Sequence, residues 1–169
     1  YGKGFAVREG VLSAKGQYIL FTDADFSTPL DQLEKLLPYI KNHQIVIGSR
    51  YLNRESIQIK QPFIRRAISR GGNLAIRLII NLPYADTQCG FKLFQNEAAR
   101  NIFQRSTINR WGFDMEILTI ARIHHLSIKE VSVSWSDNPE SKLRAGRAAI
   151  DTLRELFKIK RNQIKGVYK

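Results

Sequence analysis

The strongest constraint on the fold is an alternation of two hydrophobic periods along the chain. Gln17 to Thr22 (QYILFT) is a short β-rich apolar run. Leu30 to Lys41 follows, with Leu33, Leu36, Leu37 and Ile40 recurring at helical spacing. Ile45 to Gly48 reads as a second buried strand and Asn53 to Pro62 as a polar loop. Phe63 to Leu82 is helical in period, with Gly71-Gly72 as a point of breakage or kinking. Phe91 to Phe94 predicts a strand, and Glu97 to Gln104 and Phe113 to His125 predict helices. Ile128, Val131, Val133 and Trp135 belong to a further strand. Helices over Ala6 to Lys15 and Ala145 to Lys160 bracket the series. Strands alternating with helices predict an α/β fold with a mostly parallel sheet flanked by helices.

Composition narrows the function. The chain has 169 residues, enough for one domain or most of one. Its 43% hydrophobic and 10% aromatic content excludes a disordered tail. Its single cysteine, Cys89, excludes a disulfide framework. Lys and Arg number 27 against 15 Asp and Glu, a net charge of +12. Anionic partners follow from that excess: nucleic acid, lipid headgroups or phosphorylated small molecules. No apolar run approaches the roughly 20 residues of a membrane-spanning helix. The best, Leu74 to Leu82, is cut by Arg77. Nucleic-acid binding predicts aromatics interleaved with basic residues on a platform. Here Phe5, Phe21, Phe91 and Phe94 fall at apolar-periodic positions, so no nucleic-acid partner is expected.

Asp23-Ala24-Asp25 directly follows the first strand. Residues i and i+2 of an extended chain share a side. Two carboxylates can therefore converge on one Mg²⁺ or Mn²⁺, with substrate phosphates completing the shell. Open α/β sheets bind ligands beyond the carboxyl ends of their strands, which is where these residues fall. The competing explanation is an ordinary turn, with Ser27, Thr28 and Pro29 starting a helix. Arg50 ends the second strand at the same kind of edge, where a guanidinium can grip a phosphate with two bonds.

Two segments are basic and amphipathic. Arg65, Arg66 and Arg70 lie among Phe63, Ile64 and Ile68, and Arg66 and Arg70 share a helical face. The last helix sets Ile150, Leu153, Leu156 and Phe157 against Arg147, Arg154, Lys158, Lys160 and Arg161. Such helices can lie on an anionic membrane surface. They can equally be core helices with a solvated basic face.

Several strings occur in a set order: GKGFAVREG, FTDADFSTP, VIGSR, DTQCGFKLF, WGFDMEIL, EVSVSW and SKL. Together they resemble the family-2 inverting glycosyltransferases, with the dolichyl-phosphate (polyprenyl-phosphate) β-glucosyltransferases as the most similar subgroup. The resemblance runs from Gly2 to about Leu156. It implies a GT-A-type α/β fold and transfer of glucose from UDP-glucose to the phosphate of a polyprenol. Ser27 stands where mannosyl relatives place a glutamine, which favours glucose over mannose. A polyprenyl-phosphate mannosyltransferase using GDP-mannose is one alternative, and a non-catalytic membrane-binding fragment another.

The resemblance also implies roles. Asp23 and Asp25 would hold the metal and the donor diphosphate, with Lys3, Ser141 and Lys142 as further diphosphate contacts. Asp86 would face acceptor and sugar as base or orienter, with Gln88 on the sugar. Arg50, Arg65, Arg66 and Arg70 would meet the acceptor phosphate. Trp111, Asp114 and Glu116 would border the sugar or acceptor, although acids at a helix start also complement its dipole. The implied cofactor is Mg²⁺ or Mn²⁺. The implied partners are UDP-glucose, a polyprenyl or dolichyl phosphate and an anionic membrane surface. The implied location is the cytoplasmic face of a membrane, peripheral or anchored by segments outside this chain. Family members begin with two nucleotide-holding strands that have no counterpart here. The expectation is therefore an N-terminally truncated catalytic domain over residues 1–145 and a basic amphipathic helix and tail over 146–169.

Overall fold

The computed structural model describes residues 2–52, 76, 78–136 and 145–169. The first helix, α1 (Lys3–Ser13), precedes strand β1 (Tyr18–Thr22). A 3-10 turn (Leu30–Gln32) leads into α2 (Leu33–Ile40), and β2 (Ile45–Ser49) follows. Strand β3 (Phe91–Gln95) runs directly into α3 (Asn96–Arg105). Helix α4 (Phe113–Ile123), strand β4 (Ile128–Ser132) and helix α5 (Ala145–Ile164) complete the order.

The strands form one sheet in the order β1-β3-β2-β4. β2 and β4 pair in parallel, while β3 is antiparallel to both β1 and β2. Three of the four described strands thus share a direction, and β3 is reversed between two of them. That reversal departs from simple strand–helix alternation. A strand that enters from a loop on the far side of the sheet can pair antiparallel without a crossover helix.

The side chains of the strands divide by parity, as the pleat requires. Ile19, Phe21, Ile45, Ile47 and Phe94 face a core built with α1, α3, α4 and α5. Val46, Phe91 and Leu93 face the opposite side, where Leu36 and Ile40 of α2 cover them. Leu37, expected on the same inward face, is instead 41% exposed. The two layers of helix explain why β2 is buried at every position. Leu156, Ile159 and Tyr168 of the C-terminal segment belong to the larger core.

Gly4 permits one close approach that matters for the site. A Cβ there would lie 2.6 Å from the Ile108 carbonyl oxygen and 2.8 Å from Phe113 Cβ. With hydrogen instead, the start of α1 seats against the start of α4, and the Phe5 N–H donates to the Asn109 carbonyl at 3.1 Å.

Candidate active site

Sheet register gathers the chemistry on one rim. Thr22, the last residue of β1, pairs with Phe91, the first of β3. Ser49, the last of β2, pairs with Ser132, the last of β4. The carboxyl ends of three strands and the start of the reversed one therefore coincide. Segments 23–28, 50–52, 86–90 and 133–136 meet there. The Asp23 N–H donates to the Gly90 carbonyl at 2.9 Å, and the Ser136 N–H to the Ser27 carbonyl at 2.9 Å.

Asp23 leaves β1 pressed against Gly90, and a Cβ at Gly90 would collide with its carboxylate. Lys3, the first residue of α1, places its ammonium 2.6 Å from Asp23 Oδ1. The same ammonium lies 5.3–5.7 Å from the rings of Phe21, Trp111 and Phe113. Asp25 is exposed. Its Oδ1 accepts the Ser27 N–H at 3.0 Å, which closes a small Asx turn. Between them the chain is bent: Phe26 has φ 50 and a side chain 53% exposed. A bulky residue held in the left-handed region carries local strain of a kind that collects at functional sites.

Beneath this pair lies a second, drier one. Lys92 is 0% exposed, and its ammonium contacts Asp114 Oδ1 at 2.5 Å and donates to the Cys89 carbonyl at 2.6 Å. Burial raises the Asp114 pKa despite the opposing charges of Lys92 and Lys3, and the nearby Asp23 charge raises it further. Burial likewise pushes the Cys89 thiol up to about 11, which leaves it protonated and unreactive at neutral pH.

Arg50 and Asp86 form the third element. Arg50 Nε donates to Asp86 Oδ2 at 2.7 Å, and Nη2 donates to Oδ1 at 2.9 Å. The backbone N–H of Arg50 adds a bond to Oδ2 at 3.0 Å. Burial favours the neutral carboxyl, but the charge and hydrogen bonds of Arg50, helped by Lys92, hold Asp86 below the usual carboxylate range. Burial likewise opposes the Arg50 charge, and Asp86 overcomes it, so the guanidinium pKa is raised. Trp135 and Tyr51 flank the guanidinium at 5.4 and 5.3 Å. The loop that carries Asp86 is itself held. Glu130 of β4 accepts the Ala85 N–H at 3.0 Å and the Asp86 N–H at 2.7 Å. Asp86, so completely paired with Arg50, is a weak base and a firm anchor.

The rim thus unites Lys3, Asp23, Asp25, Arg50, Asp86 and Trp111, and Gln88 lies half-buried in the same loop as Asp86. Trp111 is 41% exposed. Two expected site residues turn inward instead. Asp114, 3% exposed, is committed to Lys92. Glu116, 0% exposed, accepts from the Thr107 N–H and hydroxyl, the Ile108 N–H and the Tyr168 hydroxyl at 2.7–2.9 Å. It fastens the loop after α3 and the C-terminal segment. Arg65, Arg66, Arg70, Ser141 and Lys142 lie outside the described residues.

Lys92, Gly90, Glu130 and Trp135 escaped the sequence-based search for site residues. Lys92 carries a usable signal. A lysine flanked by Phe91, Leu93 and Phe94 in a buried strand needs a carboxylate partner. Glu130 carries no such signal, since an acid in a half-buried strand is ordinary.

The donor set suits a hard divalent cation. Asp23 and Asp25 offer carboxylate oxygens at an open rim, the kind of ligand Mg²⁺ and Mn²⁺ prefer. Among the described residues no group of three or more His, Cys, Asp or Glu could hold a metal alone. The remaining positions would fall to phosphate and water.

Known proteins agree with this architecture. The model of Glycosyl transferase family 2 matches residues 1–103. A dolichyl-phosphate beta-glucosyltransferase of Drosophila melanogaster is 39% identical over 94% of this chain and 51% of its own. The Homo sapiens dolichyl-phosphate beta-glucosyltransferase is 37% identical over 84% of this chain and 46% of its own. The chain spans about half the length of the curated relatives it matches. Among solved structures, glucosyl-3-phosphoglycerate synthase from Mycobacterium tuberculosis with UDP superposes with a TM-score of 0.66 at 14% identity, over 95% of this chain and 55% of that one. The same synthase with Mn²⁺, UDP-glucose and phosphoglyceric acid gives 0.64 at 15% identity, over 95% and 55%. At such identity the likeness shows the fold, the GT-A type. With more than half of its length under that family's model, the chain belongs to glycosyl transferase family 2.

Proposed function

We propose that the protein transfers glucose from UDP-glucose to the phosphate of a dolichyl or polyprenyl phosphate, with inversion at the sugar carbon. The observation that carries this is the meeting, on one rim, of an Asp-x-Asp carboxylate pair with a half-buried arginine paired to a buried aspartate. One half suits a metal-bound diphosphate and the other a phosphate monoester. The relatives named as dolichyl-phosphate beta-glucosyltransferases support the choice of sugar and acceptor.

An acceptor phosphate is already ionised at neutral pH. Its oxygen forms the new bond to the sugar carbon as the bond to the donor diphosphate breaks, and the electron pair leaves with UDP. No strong base is needed, which fits the low basicity of Asp86. We assign Asp86 to holding Arg50, and Arg50 to positioning the acceptor phosphate. Lys3 offers the donor diphosphate a cation. Mg²⁺ or Mn²⁺ held by Asp23 and Asp25 would neutralise the charge that develops on the leaving group. Trp111 offers an exposed face for the sugar. In this proposal the lipid tail of the acceptor brings the reaction to a membrane surface, and the side assigned is the cytoplasmic one. Among the described residues no helix is long and apolar enough to cross a membrane.

The test is transfer by the full-length protein, with UDP-glucose or GDP-mannose as donor and a short polyprenyl phosphate as acceptor, with Mn²⁺, Mg²⁺ or EDTA. Lipid-linked glucose that disappears with EDTA is expected. Lipid-linked mannose without lipid-linked glucose overturns the assignment.

A further inference from the structure

The loop that carries Asp86 has no ladder of its own, since residues 81–90 form neither helix nor strand. Its course depends on side chains that reach in from other elements. Two do so, from opposite ends. Lys92 of β3 donates to the Cys89 carbonyl at 2.6 Å. Glu130 of β4 accepts the Ala85 N–H through Oε2 at 3.0 Å and the Asp86 N–H through Oε1 at 2.7 Å.

Glu130 lies in the middle of β4, the last strand in the described sheet order. It pairs with Ile47 of β2, as Ile128 pairs with Ile45. Ile45, Ile47 and Ile128 all belong to the larger core, so the pleat directs Glu130 to that face as well. An inward acid on an edge strand can simply guard the edge against another chain. A guard needs only its charge. Here both carboxylate oxygens are taken, one by each of two successive N–H groups. That fit fixes the backbone at the residue whose side chain grips Arg50. From Asp86 the bonds continue without a gap: Oδ2 accepts the backbone N–H and Nε of Arg50, and Oδ1 accepts Nη2.

We propose that Glu130 is a positioning residue for acceptor recognition. Through the Ala85 and Asp86 N–H groups it sets Asp86, and through Asp86 it sets the direction in which Arg50 meets a phosphate monoester. A small displacement of such a grip is costly, because a guanidinium that must bond two oxygens tolerates little misalignment. The identity of the phosphate rests on the proposed function. The transmission from Glu130 to Arg50 does not, and it is readable with no substrate present. The donor side stands apart from this path. Asp23 packs on Gly90, at the end of the loop that Lys92 holds, and its cation comes from α1.

The experiment uses the full-length protein as wild type, as Glu130→Gln and, for a control on the same strand, as Lys129→Gln. Glutamine keeps the volume of Glu130 but turns one acceptor into a donor that faces an N–H. Amide hydrogen exchange is read residue by residue without substrate. KM and kcat are then measured for UDP-glucose and for a short polyprenyl phosphate. In Glu130→Gln, exchange is expected to quicken about tenfold at Ala85 and Asp86, and also at Arg50, whose N–H Glu130 does not touch. The acceptor KM is expected to rise about tenfold while the donor KM stays within about twofold of wild type. Lys129→Gln is expected to match wild type throughout. Glu130→Asp keeps the charge but draws it back by one methylene. It is expected to show the same pattern, and it carries the test if the glutamine variant does not fold. Faster exchange confined to residues 85 and 86, with an unchanged acceptor KM, makes Glu130 a local tether and overturns the proposal. An equal rise in both Michaelis constants overturns it in favour of a general loosening of the rim. Faster exchange at Arg50, in a protein whose wild type glucosylates no polyprenyl phosphate, overturns the proposed function and leaves the path from Glu130 to Arg50 standing.

Discussion

Asp86 holds Arg50 by three hydrogen bonds, two from the guanidinium and one from the backbone, while 0% of the Asp86 side chain is exposed. The pairing fixes the direction of a guanidinium at the carboxyl end of β2. Replacing Asp86 by Asn strips a half-buried cation of its counter-charge, which costs about 3 kcal/mol. The pH dependence follows from the lowered Asp86 pKa. A depressed carboxylate stabilises the fold fully above its ordinary value near 3.9, and that stability is lost as pH falls through the lower folded value. Asn does not titrate. The gap in melting temperature between wild type and Asp86→Asn is therefore expected to be constant near neutrality and to narrow below about pH 4. Thermal melts across acid pH check this.

Gly90→Ala puts a methyl group into the space the Asp23 carboxylate occupies. The carboxylate must swing away, although nothing in the core changes. Mn²⁺ binding is expected to weaken at least tenfold, about 1.4 kcal/mol, with the unfolding midpoint nearly unchanged. Titration calorimetry with Mn²⁺ alone is the measurement. Unaltered binding would place the metal elsewhere.

Lys92 and Asp114 form a buried pair whose members are each costly alone. Lys92→Met and Asp114→Asn are each expected to destabilise by several kcal/mol. The double variant is expected to lose less than their sum, with a coupling of about 1–3 kcal/mol. Urea unfolding of the four proteins closes the cycle. Additive losses would mean that the two charges do not depend on each other.

Glu116→Ala removes an acceptor shared by two backbone N–H groups and two hydroxyls. About 3 kcal/mol of stability is expected to go with it. The Michaelis constants for donor and acceptor of the folded variant should stay at wild-type values, because Glu116 lies in the core and not on the rim. A raised acceptor constant without loss of stability would return Glu116 to the site.

The rim positions of Asp23, Asp25 and Arg50 were legible in the sequence because all three lie just past the ends of β1 and β2, and strand ends are where an α/β sheet presents ligands. The same logic does not separate Asp114 from Glu116 or either from Asp25. All are acids near an element boundary. Only their burial distinguishes them, and burial depends on which neighbours arrive from elsewhere in the chain. Asp114 met Lys92 from β3, and Glu116 met Thr107 and Tyr168.

Periodicity placed the strands and helices, because a residue's face repeats every two positions in a strand and every 3.6 in a helix regardless of partners. The motif order placed the family. The pairing of strands was a different matter. That β3 runs backward between β1 and β2, and so brings Gly90 onto Asp23 and Asp86 onto Arg50, is a contact between segments more than 35 residues apart in sequence. Local patterns carry no information about such register, since the apolar alternation of Phe91–Gln95 suits either direction. The outer sector of α5 is a third case. Its sequence supplied one amphipathic helix, and only packing decided that Leu156 is buried while Phe157 is not. The reason is that a helix presents more apolar surface than one core can cover, and the position of the neighbouring α4 selects which part remains outside.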